Sequence, residues 1–413
     1  MRRRDTMLKL WRIAVRDLGR NKRRSALTLI AVMMGLALVI ALHAFEMGAI
    51  QGSIDDNIRV QTGHVQVRAG SYDEDKVSLK WEDLLEEPQG LAAQAQALAD
   101  VRAAAPVLWA SGILGTIEDS VGVRVYGIDP LAETAAPFRE DLAGEFLAPD
   151  DRSGLLISQR LANNLGLAVG DDVSLLINTS GEQPDEATFT IRGLYDTGLP
   201  AFDEATIFMP LAKAQAFTRA GDRASAVVAL LHDREDADAV AETLRAPGLE
   251  LLTWRDLNQL MVEGVQSAMG FLYMIYLIVL AIVAVVVANT LLMSVFERTR
   301  EMGILAALGM KGRQIMAMFV LESATLGAIG VVLGVLLGSL GVYYLATEGL
   351  YLGDLSANVA SAEIAYGETM YARFQWADTA VLSAVCWIIM LLTSLYPAWF
   401  ATRKEPIDAL RAL

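Results

Sequence analysis

Four stretches of the chain are almost wholly apolar, and polar segments separate them. A hydrocarbon core about 30 Å thick is crossed by a helix of roughly 20 apolar residues, so each stretch is long enough to span a membrane. We therefore predict an α-helical membrane protein with four transmembrane helices, at residues 25–45, 269–296, 314–345 and 379–400. The third carries one carboxylate, Glu322, whereas the other three contain no Lys, Arg, Asp or Glu.

The longest polar segment, residues 46–268, follows the first apolar stretch and is long enough to fold around a core of its own. Alternating runs such as residues 64–68, 122–128 and 173–177 predict strands, and an Ala- and Leu-rich run at 90–104 predicts a helix. The segment is therefore predicted to be an α+β domain between helices 1 and 2.

We divide this domain into two subdomains joined to the membrane by stalks. A β-α-β unit is predicted near its end, at residues 226–231, 235–245 and 249–254. One α+β subdomain is predicted from residues 61–130 and 211–254, with a β-rich subdomain inserted at 131–210. Helical stalks are predicted at residues 46–60 and 254–268.

Basic residues determine the predicted orientation. Residues 1–24 hold ten Lys and Arg against two acidic residues, and the segments 297–313 and 401–413 also carry an excess of basic residues. Since basic flanks stay in the cytoplasm, both termini and the 297–313 loop are predicted inside. The domain at 46–268 and the short loop at 346–378 are then outside, as expected for a multi-pass protein of a bacterial inner membrane with a periplasmic domain.

The composition argues against a disulfide-stabilised outer domain, a nucleic-acid-binding protein and a metal site. The single cysteine, Cys386, lies in the fourth helix, so the outer domain must be stabilised by packing rather than by disulfides. The net charge of −15 averages two opposite faces and does not indicate a nucleic-acid partner. His43, His64 and His232 are too scattered for a metal site, and no catalytic set is suggested. We expect a chain that is not an enzyme and holds no metal or cofactor.

Residues 1–24 are predicted to form a cytoplasmic basic amphipathic helix. Leu8, Trp11, Val15 and Leu18 follow helical spacing among basic residues, so the helix would lie on the lipid surface with Trp11 as its anchor. A solvated basic tail is the alternative.

The 297–313 loop has a charged start, an apolar middle and a glycine, Gly309, suited to end a helix. This pattern predicts a short amphipathic helix that would fit a groove on a cytoplasmic partner. A plain connection between two transmembrane helices is the alternative.

This loop resembles the E-R-x-x-E-[IM]-G-x-x-x-A-x-G signature of the MacB/FtsX-type ABC transporter permease family, with Ala306 where a basic residue is often found. The segment from Tyr396 to Arg411 is similar to the closing motif of that family. The resemblance implies a coupling helix bound by a cytoplasmic ABC ATPase dimer, and a second permease chain in a homo- or heterodimer. The implied ATPase-coupling residues are Glu297, Arg298, Glu301, Met302, Gly303, Leu305, Leu308 and Gly309.

The chain has no G-x-x-x-x-G-K-[ST] phosphate-binding motif. ATP and Mg are therefore expected on the partner ATPase. In the family, closure of the ATPase is implied to reach the outer domain through the stalks, a mode called mechanotransmission.

Residues 193–216 look closest to the lipoprotein-releasing permeases. This resemblance implies extraction of lipoproteins from the outer leaflet of the inner membrane and transfer to a periplasmic carrier. A lipid-accepting cavity would need an apolar lining, for which the candidates are Val39, Leu42, Phe45, Met47, Ile50, Met269, Phe271, Leu272 and Ile275. Ordinary packing or contact with membrane lipids is the alternative for these residues.

Two other functions stay open. One is efflux of an amphiphilic drug or peptide with an adaptor protein. The other is signalling across the membrane to a cell-wall hydrolase without transport, although that branch of the family usually has a smaller outer domain.

The third transmembrane segment contains a row of glycines, Gly327, Gly330, Gly334, Gly338 and Gly341. The G-x-x-x-G spacing from Gly330 to Gly338 predicts close helix packing. In the same segment, an interior partner or snorkelling would explain Glu322, and proton coupling is the remaining alternative.

Overall fold

The computed structural model describes residue 16 and residues 22–73, 77, 79–351 and 369–402. It divides into two compact units. The helical unit contains the described residues of 1–50, 266–350 and 370–413, and the sheet unit contains those of 51–265 and 351–369. Most of the predicted helix at 1–24, of the loop at 346–378 and of the tail at 401–413 lies outside the described residues.

The described residues form α-helices and strands that we number in chain order. The α-helices are α1 (Lys22–Asn57), α2 (Pro88–Gln96), α3 (Pro137–Glu140), α4 (Gln159–Leu165), α5 (Pro200–Asp203), α6 (Leu211–Thr218), α7 (Ala237–Thr243), α8 (Trp254–Leu257), α9 (Gln259–Glu297), α10 (Thr299–Ala307), α11 (Gly312–Thr347) and α12 (Trp376–Thr402). The strands are β1 (Val65–Ala69), β2 (Val101–Gly115), β3 (Ser120–Ile128), β4 (Leu142–Gly144), β5 (Gly154–Ser158), β6 (Asp172–Asn178), β7 (Pro184–Tyr195), β8 (Thr206–Pro210), β9 (Ala226–Leu231), β10 (Leu249–Thr253), β11 (Leu350–Tyr351) and β12 (Thr369–Met370).

Four helices, α1, α9, α11 and α12, are long and apolar enough to cross a membrane. This agrees with the prediction of four membrane helices, and α1 continues past residue 45, as expected for the helical stalk predicted at 46–60. It runs to Asn57 and passes into a π-helical turn at Ile58–Thr62, which closes with a hydrogen bond from the Gly63 amide to the Ile58 carbonyl at 2.8 Å.

The approach to α9 differs from the predicted stalk at 254–268. The short helix α8 stops at Asn258, whose φ of −119° and ψ of 33° are not helical, and α9 begins at the next residue. The Asn258 side chain donates to the Trp254 carbonyl at 2.7 Å, which satisfies the last turn of α8. This segment is two helices with a break, and at the break the backbone amide of Asn258 also donates to the Trp254 carbonyl, at 3.1 Å.

Within the helical unit, the glycine row of α11 packs against α1. A Cβ atom added to Gly330 or Gly338 would lie 2.8 Å from a methyl carbon of Val32 or 3.1 Å from Cβ of Ile40. The glycines therefore let the two helices approach more closely than side chains would allow.

The sheet unit is a mixed sheet of ten strands in the order β10-β1-β9-β2-β3-β8-β5-β7-β4, with β6 paired to β2 and β7. Most neighbours are antiparallel, whereas β3–β8 and β5–β7 are parallel. The predicted strand-helix-strand unit near the end of the domain is present as β9, α7 and β10, but β1 lies between its two strands and pairs with both.

The strand β2 joins the two parts that we had separated at residues 130/131 and 210/211. Its first half pairs with β9, and its second half pairs with β3 and β6. The strand β3, predicted in the flanking subdomain, is hydrogen-bonded to β8 from the other end of the insert.

The predicted helix at 90–104 ends at Gln96, and Val101 already belongs to β2. Alanines 103 to 105 favour a helix in isolation, yet here they lie in the sheet, where Ala103 and Ala105 are buried.

A cluster of aromatic side chains fills one part of the sheet core. Phe138 lies 4.1 Å from Phe208 and Tyr195 lies 4.9 Å from Phe208, measured between ring centroids. The carboxyl of Asp203 is buried next to this cluster and accepts hydrogen bonds from the hydroxyl and the amide of Thr197. Burial raises the pKa of Asp203 to about 7.

Candidate coupling site

The candidate site is the connection between α9 and α11, which the sequence predicts to be a coupling helix. After Glu297 a single residue, Arg298, separates α9 from α10. The helix α10 then ends in a turn where Gly309 has a φ of +92° and the Met310 amide donates to the Leu305 carbonyl at 3.0 Å. This bond from beyond the helix to its last turn is a Schellman closure, which requires glycine at the left-handed position. The chain enters α11 two residues later.

One face of α10 packs into the helical unit. Met302 and Gly303 are buried, and Met302 belongs to a core that includes Val295 and Phe319. These two residues were predicted as coupling residues together with their neighbours. Met302 shares the inward face of this connection with Arg298, since residues four apart lie on the same helix face and both are buried.

The other face of α10 is apolar and exposed. Leu308 is 80% exposed and Ile304, one helical turn earlier, is 47% exposed. Leu305 is half-buried between the two faces, and Gly309 is exposed at the end. Ile304 is not in our predicted set, but its spacing of four residues from Leu308 places it on the same exposed face.

The charged start of this connection is held by ion pairs. Arg298 is almost fully buried, and its guanidinium lies 3.3 Å from Glu322 and 3.5 Å from Glu301. Glu297 accepts a hydrogen bond from Arg24, at the start of α1, at 2.9 Å. Glu322 therefore has interior partners, in agreement with the first of our explanations for it. We did not predict the pairs that Arg24 makes with Glu297 and Glu322, because they depend on how α1 packs beside α9 and α11.

The candidate cavity residues do not form one uniform lining. Val39 and Ile50 are buried, and Leu42 and Phe271 are exposed. The remaining candidates are half-buried, namely Phe45, Met47, Met269, Leu272 and Ile275. The set therefore divides between packing residues and residues that face outward.

A polar contact that the sequence reasoning missed joins α1, α9 and α12 in the same region. The His43 ring lies 3.1 Å from a carboxylate oxygen of Asp378 and 3.4 Å from the hydroxyl of Tyr276. His43 and Tyr276 belong to the two helices that carry the candidate linings, so this contact joins those helices. Polar residues in a membrane helix are costly unless paired, and here each has a partner.

Two family descriptions match the chain. The family described as MacB-like periplasmic core domain matches residues 25–246, and that described as FtsX-like permease C-terminal matches residues 273–406.

Relatives match over almost the full chain. The lipoprotein-releasing system transmembrane protein LolC of Neisseria meningitidis serogroup B is 24% identical over 98% of this chain and 99% of its own length. The macrolide export ATP-binding/permease protein MacB of Nitrobacter winogradskyi is 27% identical over 97% of this chain, which spans 59% of that relative. Among solved structures, the periplasmic region of MacB from Actinobacillus actinomycetemcomitans is 14% identical to this chain, with a TM-score of 0.35. The match covers 50% of this chain and 97% of that structure.

Proposed function

Because the chain belongs to the family of permeases that combine a MacB-like periplasmic core domain with an FtsX-like C-terminal permease domain, we propose that it releases lipoproteins from the outer leaflet of a bacterial inner membrane as the membrane subunit of an ABC transporter. We choose lipoproteins as the substrate because the match to LolC extends along 99% of that relative. In this proposal the sheet unit lies in the periplasm, and a soluble carrier receives the lipoprotein there.

The energy source is a separate cytoplasmic ATPase dimer, which binds ATP and Mg²⁺ and docks on α10 of each of two permease chains. The support is the apolar pair Ile304 and Leu308, which α10 exposes at a turn between two membrane helices. An exposed apolar ridge one helical turn long is the kind of surface that enters a hydrophobic groove on a partner. Glu297 and Glu301, both half-exposed, would surround that ridge with charge.

The docking part of the proposal is tested by I304E and L308E. Each variant places a charge in the apolar contact, so we expect the ATPase to be lost when the chain is purified from native membranes. The matched control is I117E, at a fully exposed isoleucine between β2 and β3 in the sheet unit, which should retain the ATPase. Equal recovery of a nucleotide hydrolase with all three variants would contradict docking at α10.

The substrate is tested with proteoliposomes that contain the permease, its ATPase and a triacylated lipoprotein. We expect release into solution that depends on both ATP and a periplasmic carrier. Hydrolysis of ATP without any release would contradict lipoprotein extraction while leaving the ATPase partnership intact.

Efflux of an amphiphile with an adaptor protein is the second candidate. It is favoured by the match to MacB over 97% of this chain. The same proteoliposomes distinguish the two functions, because a macrolide would stimulate ATP hydrolysis under the second and a lipoprotein under the first.

A further inference from the structure

The turn between α9 and α10 is held by a carboxylate from a third helix. Glu322 of α11 is 1% exposed, and each of its two oxygens faces a different arginine. One oxygen, Oε1, lies 3.5 Å from the guanidinium of Arg24 in α1. The other, Oε2, accepts a hydrogen bond from Arg298 at 3.3 Å. A single buried side chain therefore connects the coupling turn to the first membrane helix.

Two further carboxylates complete this charge cluster at its edge. Arg24 also pairs with Glu297 at 2.9 Å, and Arg298 also lies 3.5 Å from Glu301. Glu297 and Glu301 are about half-exposed, so solvent screens their contribution. Glu322 is the cluster member that faces both arginines and is shielded from water.

Burial makes the geometry at Glu322 restrictive. A buried ion pair stabilises a fold only when its geometry is good, and removal of one partner leaves an uncompensated charge in an apolar region. The coupling turn therefore cannot move away from α11 without breaking the Arg298 pair, and α1 cannot move away without losing the Arg24 pair.

Packing further along the same two helices adds to this constraint. The glycines of α11 bring its backbone against Val32, Leu36 and Ile40 of α1. The two helices are thus joined by close packing along their length and by Glu322 at the end where α10 lies. A displacement of α10 would pass to this helix pair as well as to α9, to which α10 is connected by the chain.

We propose that Glu322 is a positioning residue that transmits the displacement of the coupling helix α10 into α1 by holding Arg298 and Arg24 on its two carboxylate oxygens. This rests on the proposed docking of an ATPase on α10 and adds the route by which the motion leaves that site.

The test uses the complete complex with its ATPase in nanodiscs. Spin labels are placed on cysteines at Arg300 of α10 and Met34 of α1, both exposed, in a chain where Cys386 is replaced by serine. Distances between the labels are measured without nucleotide and after trapping with ATP and vanadate. We expect the same distance in both states for the parent chain, because α10 and α1 move together.

Glu322→Gln should uncouple the two labels. We expect the distance distribution to change on trapping, while the KM for ATP stays within about twofold of the parent because the ATPase itself is untouched. Glu322→Asp keeps the charge and should restore the parent behaviour in part. The matched control is Ser323→Ala, since the Ser323 hydroxyl is equally buried and, among the described residues, has no hydrogen-bond partner.

A second variant keeps the test decisive if Glu322→Gln does not fold. Arg24→Gln removes the α1 side of the bridge and leaves Arg298 paired, so it should produce the same change in distance. Distances that match those of Ser323→Ala in both variants, with ATP hydrolysis intact, would overturn the role of Glu322 but not the docking on α10. If the parent chain binds no ATPase, the proposed function fails instead.

Discussion

Gly334 of α11 lies so close to Leu36 of α1 that a Cβ atom added to the glycine would be 3.0 Å from the Cβ of the leucine. Gly330 and Gly338 make the same kind of approach one helical turn to either side. The three glycines therefore form a continuous strip on one face of α11, and α1 occupies that strip.

We predict that Gly334→Leu destabilises the protein by about 1–3 kcal/mol, because overpacking forces the two helices apart. The melting temperature of the purified protein in detergent should fall. The matched control is Gly341→Leu in the same helix, where an added Cβ meets no atom within 4 Å. Equal melting temperatures for the two variants would mean that the strip does not determine the distance between the helices.

Substitution of Gly309 should also destabilise the structure, but for a different reason. Its φ of +92° is a backbone conformation that residues with a side chain rarely adopt, so Gly309→Ala should cost roughly 1–3 kcal/mol in local stability. We expect faster hydrogen exchange of the α10 amides. Gly270→Ala is the control, since Gly270 is helical and has open space around it. Unchanged exchange in α10 would show that the turn adapts to alanine.

Orientation can be tested with single cysteines, because Cys386 is buried and can be replaced by serine. We expect a membrane-impermeant maleimide to label I117C from the periplasmic side of intact spheroplasts. L308C should react only after the membrane is opened. Labelling of I117C that also requires permeabilisation would place the sheet unit in the cytoplasm and end the proposal of a periplasmic domain.

The buried carboxyl of Asp203 predicts a pH dependence in the sheet unit. Its pKa is raised to about 7 in the fold, against about 4 for an unfolded chain. Between these values the folded state binds more protons at Asp203 than the unfolded state, so the contribution of Asp203 to stability decreases as pH rises from about 4 to 7 and is constant above that range. His64, whose pKa is lowered to about 4 mainly by burial, contributes in the opposite direction between about pH 4 and 6.5.

Hydrogen exchange of the β7 and β8 amides, corrected for intrinsic rates, measures this effect in the full chain. We expect the ratio of protection at pH 7.5 to protection at pH 5.5 to be lower in the parent than in Asp203→Asn, because the substitution removes the contribution of Asp203 and leaves that of His64. Asp222→Asn, at an exposed carboxylate in the same unit, should behave like the parent. A pH dependence that survives unchanged in Asp203→Asn would assign it to another group.

The membrane helices were predictable because each is a long apolar run, and the sequence signal of a span does not depend on its neighbours. The end of α10 was predictable too, because a single residue, Gly309, forms the turn that ends the helix. In contrast, the first part of β2 could not be predicted from the sequence, because its alanines carry little strand preference. Its hydrogen-bond partners come from β3, β6 and β9. The local periodicity of a sequence does not show which strands pair when those strands are far apart in the chain.

The motif placed the candidate site in the connection between α9 and α11, but it did not show which face of α10 is exposed. The structure adds that Met302 is buried and Ile304 is exposed. The partners of Glu322 depend on the packing of α1 beside α11, and only the three-dimensional arrangement supplies that information.

The long strand β2 has a consequence for protein engineering. Since its first half pairs with β9 and its second half with β3 and β6, the insert at residues 131–210 cannot be exchanged between relatives by cutting at residues 130 and 210. A chimera made at those points would combine β2 and β3 from one parent with β6 and β8 from the other. Grafts that keep residues 65–253 together would instead leave every strand pairing of β2 within one parent and replace the sheet as a single inherited module.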